Sequence, residues 1–210
     1  MPHEGQAFYI ERSILMLQRT ATPTAAPSAR PRTGHTERKP ETNRLFPTKN
    51  DLPEATRVRV ADLLNKRLAD CIDLQTQCKQ AHWNVKGPTF IALHELFDEV
   101  NADVEAYVDL LAERVVQLGG IAEGTARMVA ERTTLDEYPQ ALASGEGHVD
   151  ALSSALAAFG SGTRKAIDQV DQLEDADTVD ILTEISRGID KWLWFVEAHQ
   201  QGETEGQTRR

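Results

Sequence analysis

From Asp51 to His199 the apolar residues recur at helical spacing, and nowhere do they alternate as a half-buried strand requires. That property confines the chain to an all-α fold. Val60, Leu64, Leu68, Cys71 and Cys78 predict a first long helix. Asp51 is its expected N-cap, Glu54 follows three residues on, and the helix should stop near Lys86-Gly87. Pro88 then falls where a first helical residue tolerates proline. Phe90, Leu93, Phe97, Val100, Val104, Val108, Leu111 and Val115 continue a second helix, closed by Gly119-Gly120. The connection Ile121–Gly147 contains Tyr138-Pro139 and one short helix around Thr125–Glu131. A third helix is expected from about His148 to Gln172, and a fourth from about Thr178 to His199 with Asp177 as N-cap.

Four long helices with a long second connection make a bundle of the crossover kind. The expected fold is therefore an all-α, ferritin-like four-helix bundle with a short extra helix in that connection. Six of the nine prolines lie in residues 1–47; Thr20–Pro47 shows no hydrophobic period, while Phe8–Ile10 and Ile14–Leu17 could form a short helix. Residues 1–47 read as a disordered basic, Pro-rich arm, with Met16 an alternative start to Met1. Residues 48–200 form the bundle domain and 201–210 a flexible tail.

Charge divides along the same line. Residues 1–50 hold eight Lys/Arg and four Glu, a net +4, while the remaining 160 hold 15 basic and 29 acidic residues, a net −14. An acidic body suits cation handling and opposes nucleic-acid binding through its bulk field. Apolar runs such as Leu193–Val196 are far shorter than the roughly 18 residues of a membrane span. Ser13–Leu17 is too short for a secretory h-region. Cys71 and Cys78 are about 10.5 Å apart along one helix, too far to pair, and read as reduced core thiols of a cytoplasmic protein.

The chemistry concentrates around the second helix. His94 and Asp98 are i and i+4 and share a face; Asp109 and Glu113 repeat that spacing. Asp98 and Asp109 are about three turns apart, so both pairs point almost the same way. They are also separated by about 16 Å along the axis and cannot hold one ion within one chain. The spacing is mirror-symmetric about the point between Asp103 and Val104. Two antiparallel copies of this helix on a twofold axis bring His94 to the partner's Glu113 and Asp98 to the partner's Asp109. His82, ending the first helix, can fold over as a further ligand. Two imidazoles and three carboxylates suit iron(II) better than Mg²⁺ or Ca²⁺. Against this stands an ordinary reading: a histidine on a packed helix and a solvated acidic face. Carboxylates buried at an interface without a cation would be costly, which favours the metal. No Glu-x-x-His occurs, so the di-iron signature of intra-bundle centres is missing.

The run His82-Trp83, Gly87, Phe90, His94, Phe97-Asp98, with Asp109-x-x-x-Glu113-Arg114, resembles the Dps family, the DNA-binding proteins from starved cells. The similarity extends from about Leu52 to His199, through Gly119-Gly120, Tyr138-Pro139 and Asp190–Phe195. The resemblance implies a hollow dodecamer with a di-iron ferroxidase centre at each twofold interface. It also implies iron(II) oxidation, usually by hydrogen peroxide, with ferric mineral stored inside. His82, His94 and Asp98 would come from one subunit, Asp109 and Glu113 from its mate. Trp83 is a candidate sacrificial electron donor or an ordinary packed aromatic, and Lys79 a candidate partner to a ligand carboxylate.

The acidic cluster Asp168, Asp171, Glu174, Asp175, Asp177 and Asp180 spans the turn between the third and fourth helices. Part of it serves helix capping; by family analogy Asp171, Asp175 and Asp180 are candidates for a threefold iron-entry pore. The arm carries Arg30, Arg32, Arg38, Lys39 and Arg44, broken by Glu37 and Glu41. Twelve such arms would give avidity for DNA phosphates and a nucleoid association. A DNA-compacting protein with little ferroxidase activity is the alternative function, and a metal-free bundle adaptor a further one.

Overall fold

The structure, a computed structural model, describes residues 45–201. It contains α1 (Glu54–Asn84), α2 (Phe90–Gln117), α3 (Ala126–Arg132), α4 (Gly145–Asp171) and α5 (Ala176–Gln201). Among the described residues there is no strand, and no helix is long and apolar enough to cross a membrane. The arm's basic residues, Met16 and the tail beyond Gln201 lie outside the described residues.

The helices pair in sequence order, α1 along α2 and α4 along α5, while α1 also meets α4 and α2 meets α5. The predicted apolar stripes face inward. Leu64, Leu68 and Leu74 of α1, Leu93, Phe97 and Leu111 of α2, Leu152 and Phe159 of α4, and Leu182 and Ile185 of α5 form one buried core. Each such side chain contributes roughly 1.5–3 kcal/mol of burial. Cys71 and Cys78 are free thiols in this core.

Four details of the helix ends differ from expectation. Asp51 does not cap α1: Pro53 occupies the cap position without a side-chain bond, and the Asn50 side chain accepts the Leu52 N–H in a preceding turn. Pro88 lies in the α1–α2 turn, and α2 begins at Phe90. Gly87 takes φ +113° there, a conformation that glycine adopts without strain. Helix α4 begins at Gly145 because Ser144 caps it, accepting the Gly147 N–H at 3.1 Å. Asp177 is in the first turn of α5, whereas Asp175 caps that helix by accepting the Thr178 N–H at 3.1 Å. The chain reaches this cap through Glu174, whose φ is +59°.

Polar side chains of α1 fasten the long connection. Buried Asp70 accepts the Thr134 N–H at 2.6 Å and pairs with Arg67. Asn65 bridges the Ile121 carbonyl and the Glu123 N–H. Lys86 N–H bonds the Ala143 carbonyl at 3.0 Å and ties the α1–α2 turn to the same connection. Residues 45–47, assigned to the arm from composition, run beside the end of α2, where the Phe46 N–H donates to the Gly119 carbonyl at 2.7 Å.

Candidate metal centre

The end of α1 and the start of α2 are joined by only five residues, so His82 and His94 meet across the turn. Their rings stack with centroids 3.7 Å apart. His82 Nδ1 lies 2.8 Å from the His94 carbonyl, and His94 Nδ1 lies 2.8 Å from the His82 carbonyl. A carbonyl only accepts, so each Nδ1 carries a proton, and Nε2 is the ring nitrogen left to offer a lone pair. This is the orientation that a metal-binding imidazole requires, with the second nitrogen fixed by a backbone acceptor.

Asp98 joins them. Its carboxylate is 4.0 Å from His82 Nδ1 and accepts from Lys79 Nζ at 2.5 Å. The hydrogen bond from the Lys79 ammonium, above all, holds this exposed carboxyl below its ordinary range, outweighing an opposing effect of burial. Lys79 therefore touches the carboxylate that it was expected to support. Among the described residues, no group of three His, Cys, Asp or Glu is gathered as a metal site within the chain.

Asp109 and Glu113 are exposed on α2, about 16 Å along the axis from Asp98. The chain thus brings together His82, His94 and Asp98 and leaves Asp109 and Glu113 apart. Trp83 is 67% exposed on the α1 surface; within this chain it is not a packed core aromatic.

The acidic turn separates into two kinds of residue. Asp171 and Asp180 are exposed. Asp175 is 2% exposed, 2.7 Å from Arg114 Nη2, and accepts the Thr178 hydroxyl at 2.6 Å. Within the chain its carboxylate is engaged in joining the end of α2 to the start of α5, and an iron-attracting role does not fit it.

Two features were not anticipated from sequence. The reciprocal histidine–carbonyl bonds depend on turn geometry that residue spacing does not encode. The buried contact of Tyr138 with His148, 2.6 Å from Oη to Nδ1, joins an aperiodic connection to the first turns of α4.

The ferritin-like domain family matches residues 61–203. A DNA protection during starvation protein of Agrobacterium fabrum is 47% identical over 154 residues, which is 73% of this chain and 95% of the relative. Among solved structures, Mycobacterium smegmatis Dps superposes with a TM-score of 0.69 at 34% identity, covering 73% of this chain and 94% of that one. DpsC from Streptomyces coelicolor gives 0.73 at 32% identity, covering 76% and 94%. With a ferritin-like domain over two thirds of its length and relatives matched almost end to end, the chain belongs to the Dps family of ferritin-like proteins.

Proposed function

We propose that this protein oxidises iron(II) at sites shared between twofold-related subunits, with hydrogen peroxide as preferred oxidant, and stores the ferric product inside a dodecameric shell. One observation carries the reading: a single exposed stripe of α2 is arranged as its own antiparallel complement. At about 100° per residue, Ile91, Asp98, Ala102, Asp109 and Val116 fall on one face, and all are exposed. Ile91 (59% exposed) and Val116 (58% exposed) stand at mirror positions about the Asp103–Val104 midpoint. His94 mirrors Glu113 and Asp98 mirrors Asp109 in the same register. The alanines Ala102 and Ala106 near the midpoint leave room for close approach. A second copy laid antiparallel would cover apolar residue with apolar residue and complete each half-site with two carboxylates.

The neighbouring surface supports an interface. Trp83 lines an open groove with Lys79, Gln80, Asn101 and Glu105, and Asn101 Oδ1 is buried without a hydrogen-bond partner. Such a polar atom is costly unless a partner supplies a donor.

Iron is the substrate. His82 and His94 would bind it through Nε2; Asp98 would bind it on leaving Lys79; Asp109 and Glu113 would neutralise the added charge of the ferric product. Two iron(II) ions side by side give both electrons to one peroxide, which with two protons leaves as two waters. No one-electron step then releases hydroxyl radical, and DNA is protected by removal of iron and peroxide together. The proposed place of action is the cytoplasm. Stopped-flow oxidation of iron(II) by limiting peroxide tests this. One peroxide consumed per two iron(II) supports it, and no acceleration over protein-free solution contradicts it.

A further inference from the structure

Tyr138 and His148 form a buried polar pair that the chemistry above leaves unused. Tyr138 lies in the long connection and His148 in the first turns of α4. Their relative exposures are 6% and 1%, and the phenol oxygen is 2.6 Å from Nδ1. His148 Nε2 is buried without a hydrogen-bond partner, while the carbonyls of Asn84 and Leu142 face the ring and favour its protonated form. A neutral phenol donates to a neutral imidazole nitrogen, which places the ring's own proton on Nε2. Burial raises the phenol's pKa, with Cys78 adding to the effect; burial, and then Lys86, lower that of His148. The pair rests in its uncharged form.

Its position matters as much as its chemistry. The connection is fastened to α1 on both sides of Tyr138: Gln77 Nε2 donates to the Asp136 carbonyl at 3.1 Å and Gln80 Nε2 to Gln140 Oε1 at 3.2 Å. Gln77 and Gln80 precede His82 by five and two residues, within about 7.5 Å of helix. The pair therefore packs against the stretch of helix that carries a candidate iron ligand.

We infer that Tyr138 is an internal electron donor to the iron site, with His148 accepting its phenolic proton. The inference rests on the ferroxidase reading and concerns a site that holds one iron(II) when peroxide arrives. Iron(II) supplies one electron and becomes iron(III). Tyr138 supplies the other and becomes a neutral tyrosyl radical, its proton passing to Nδ1. The O–O bond breaks, and with two protons from solvent two waters leave. Electron and proton depart together, so no phenol radical cation is left in the buried site. The Asn84 and Leu142 backbone favours the imidazolium that forms.

The test is rapid-freeze electron paramagnetic resonance on the full chain with one iron(II) per site, mixed with peroxide. The expected signal is a neutral tyrosyl radical that narrows when tyrosine is ring-deuterated. It persists in Trp83→Phe and in the double variant Tyr9→Phe/Tyr107→Phe, which leaves Tyr138 as the sole tyrosine. It is lost in Tyr138→Phe. In His148→Gln the yield falls, and the radical loses its coupling to an exchangeable proton in the hydrogen bond. Should Tyr138→Phe not fold, the double variant still decides, because a vanished signal there places the radical elsewhere. Iron oxidised with no tyrosyl radical overturns this inference and leaves the ferroxidase reading standing. No iron oxidation by the wild-type chain overturns both.

Discussion

His82 and His94 hold each other: the Nδ1–H of each ring donates to the main-chain carbonyl of the other, both at 2.8 Å. The short α1–α2 turn and the stacked rings make this exchange possible, and it turns both Nε2 atoms into available ligands. On the proposed reading, His94→Ala removes a ligand and the anchor of His82 together. Iron(II) affinity by titration calorimetry should fall by about 10- to 100-fold or more. Helicity should stay unchanged, because His94 lies outside the buried core.

On the proposed reading, Lys79 competes with iron for Asp98. Its ammonium sits 2.5 Å from the carboxylate, and a cation entering the site must displace it. Lys79→Met keeps the aliphatic stem and removes the charge. Iron(II) should then bind several-fold more tightly at low ionic strength, with the gain shrinking as salt screens the ammonium in the wild type. Unchanged affinity at both salt levels would mean that the pair opens freely.

The acidic turn should divide functionally as it divides structurally. Asp175→Ala strands the buried Arg114 guanidinium and removes the α5 cap. Denaturant unfolding should show a loss of about 3–5 kcal/mol. Asp171→Asn with Asp180→Asn alters exposed carboxylates and should leave stability within about 0.5 kcal/mol. If those two form part of an entry funnel, iron uptake at low salt slows in the double variant. An unchanged rate removes them from the route.

His148 should make stability depend on pH below neutrality. Burial holds its folded pKa under the ordinary 6.5, so the unfolded chain takes up a proton there before the folded one does. The associated stability is complete above 6.5 and is lost as pH falls through the folded value, at no more than about 1.4 kcal/mol per pH unit. His148→Gln should flatten this slope in chemical denaturation between pH 6.5 and 5. The Asp98 carboxyl, shifted below its ordinary 3.8, acts only at more acid pH and leaves that window clear.

The sequence announces the bundle because burial of one helix face demands a period, and Leu64, Phe97, Leu152 and Ile185 keep to it. Helix ends are less legible, since several polar residues compete for each cap. Asp175 and Asp177 are equally good caps by type, and the left-handed Glu174 decides between them. The mirror spacing of His94, Asp98, Asp109 and Glu113 is visible in residue numbers alone, because a straight helix converts numbers into positions. The Tyr138–His148 pair is not visible, because an aperiodic connection carries no rule that places one side chain against another. The exposure of Trp83, Ile91 and Val116 belongs to tertiary packing and emerges only with coordinates.

On the proposed reading, a second copy completes the metal site across a symmetry axis. Anomalous diffraction at the iron edge, from crystals soaked in iron(II), addresses it in a single measurement. The predicted map places iron between His82, His94 and Asp98 of one subunit and Asp109 and Glu113 of the partner subunit. Iron held by the residues of one chain alone, or His94 and the partner's Glu113 lying at separate surfaces, would contradict it.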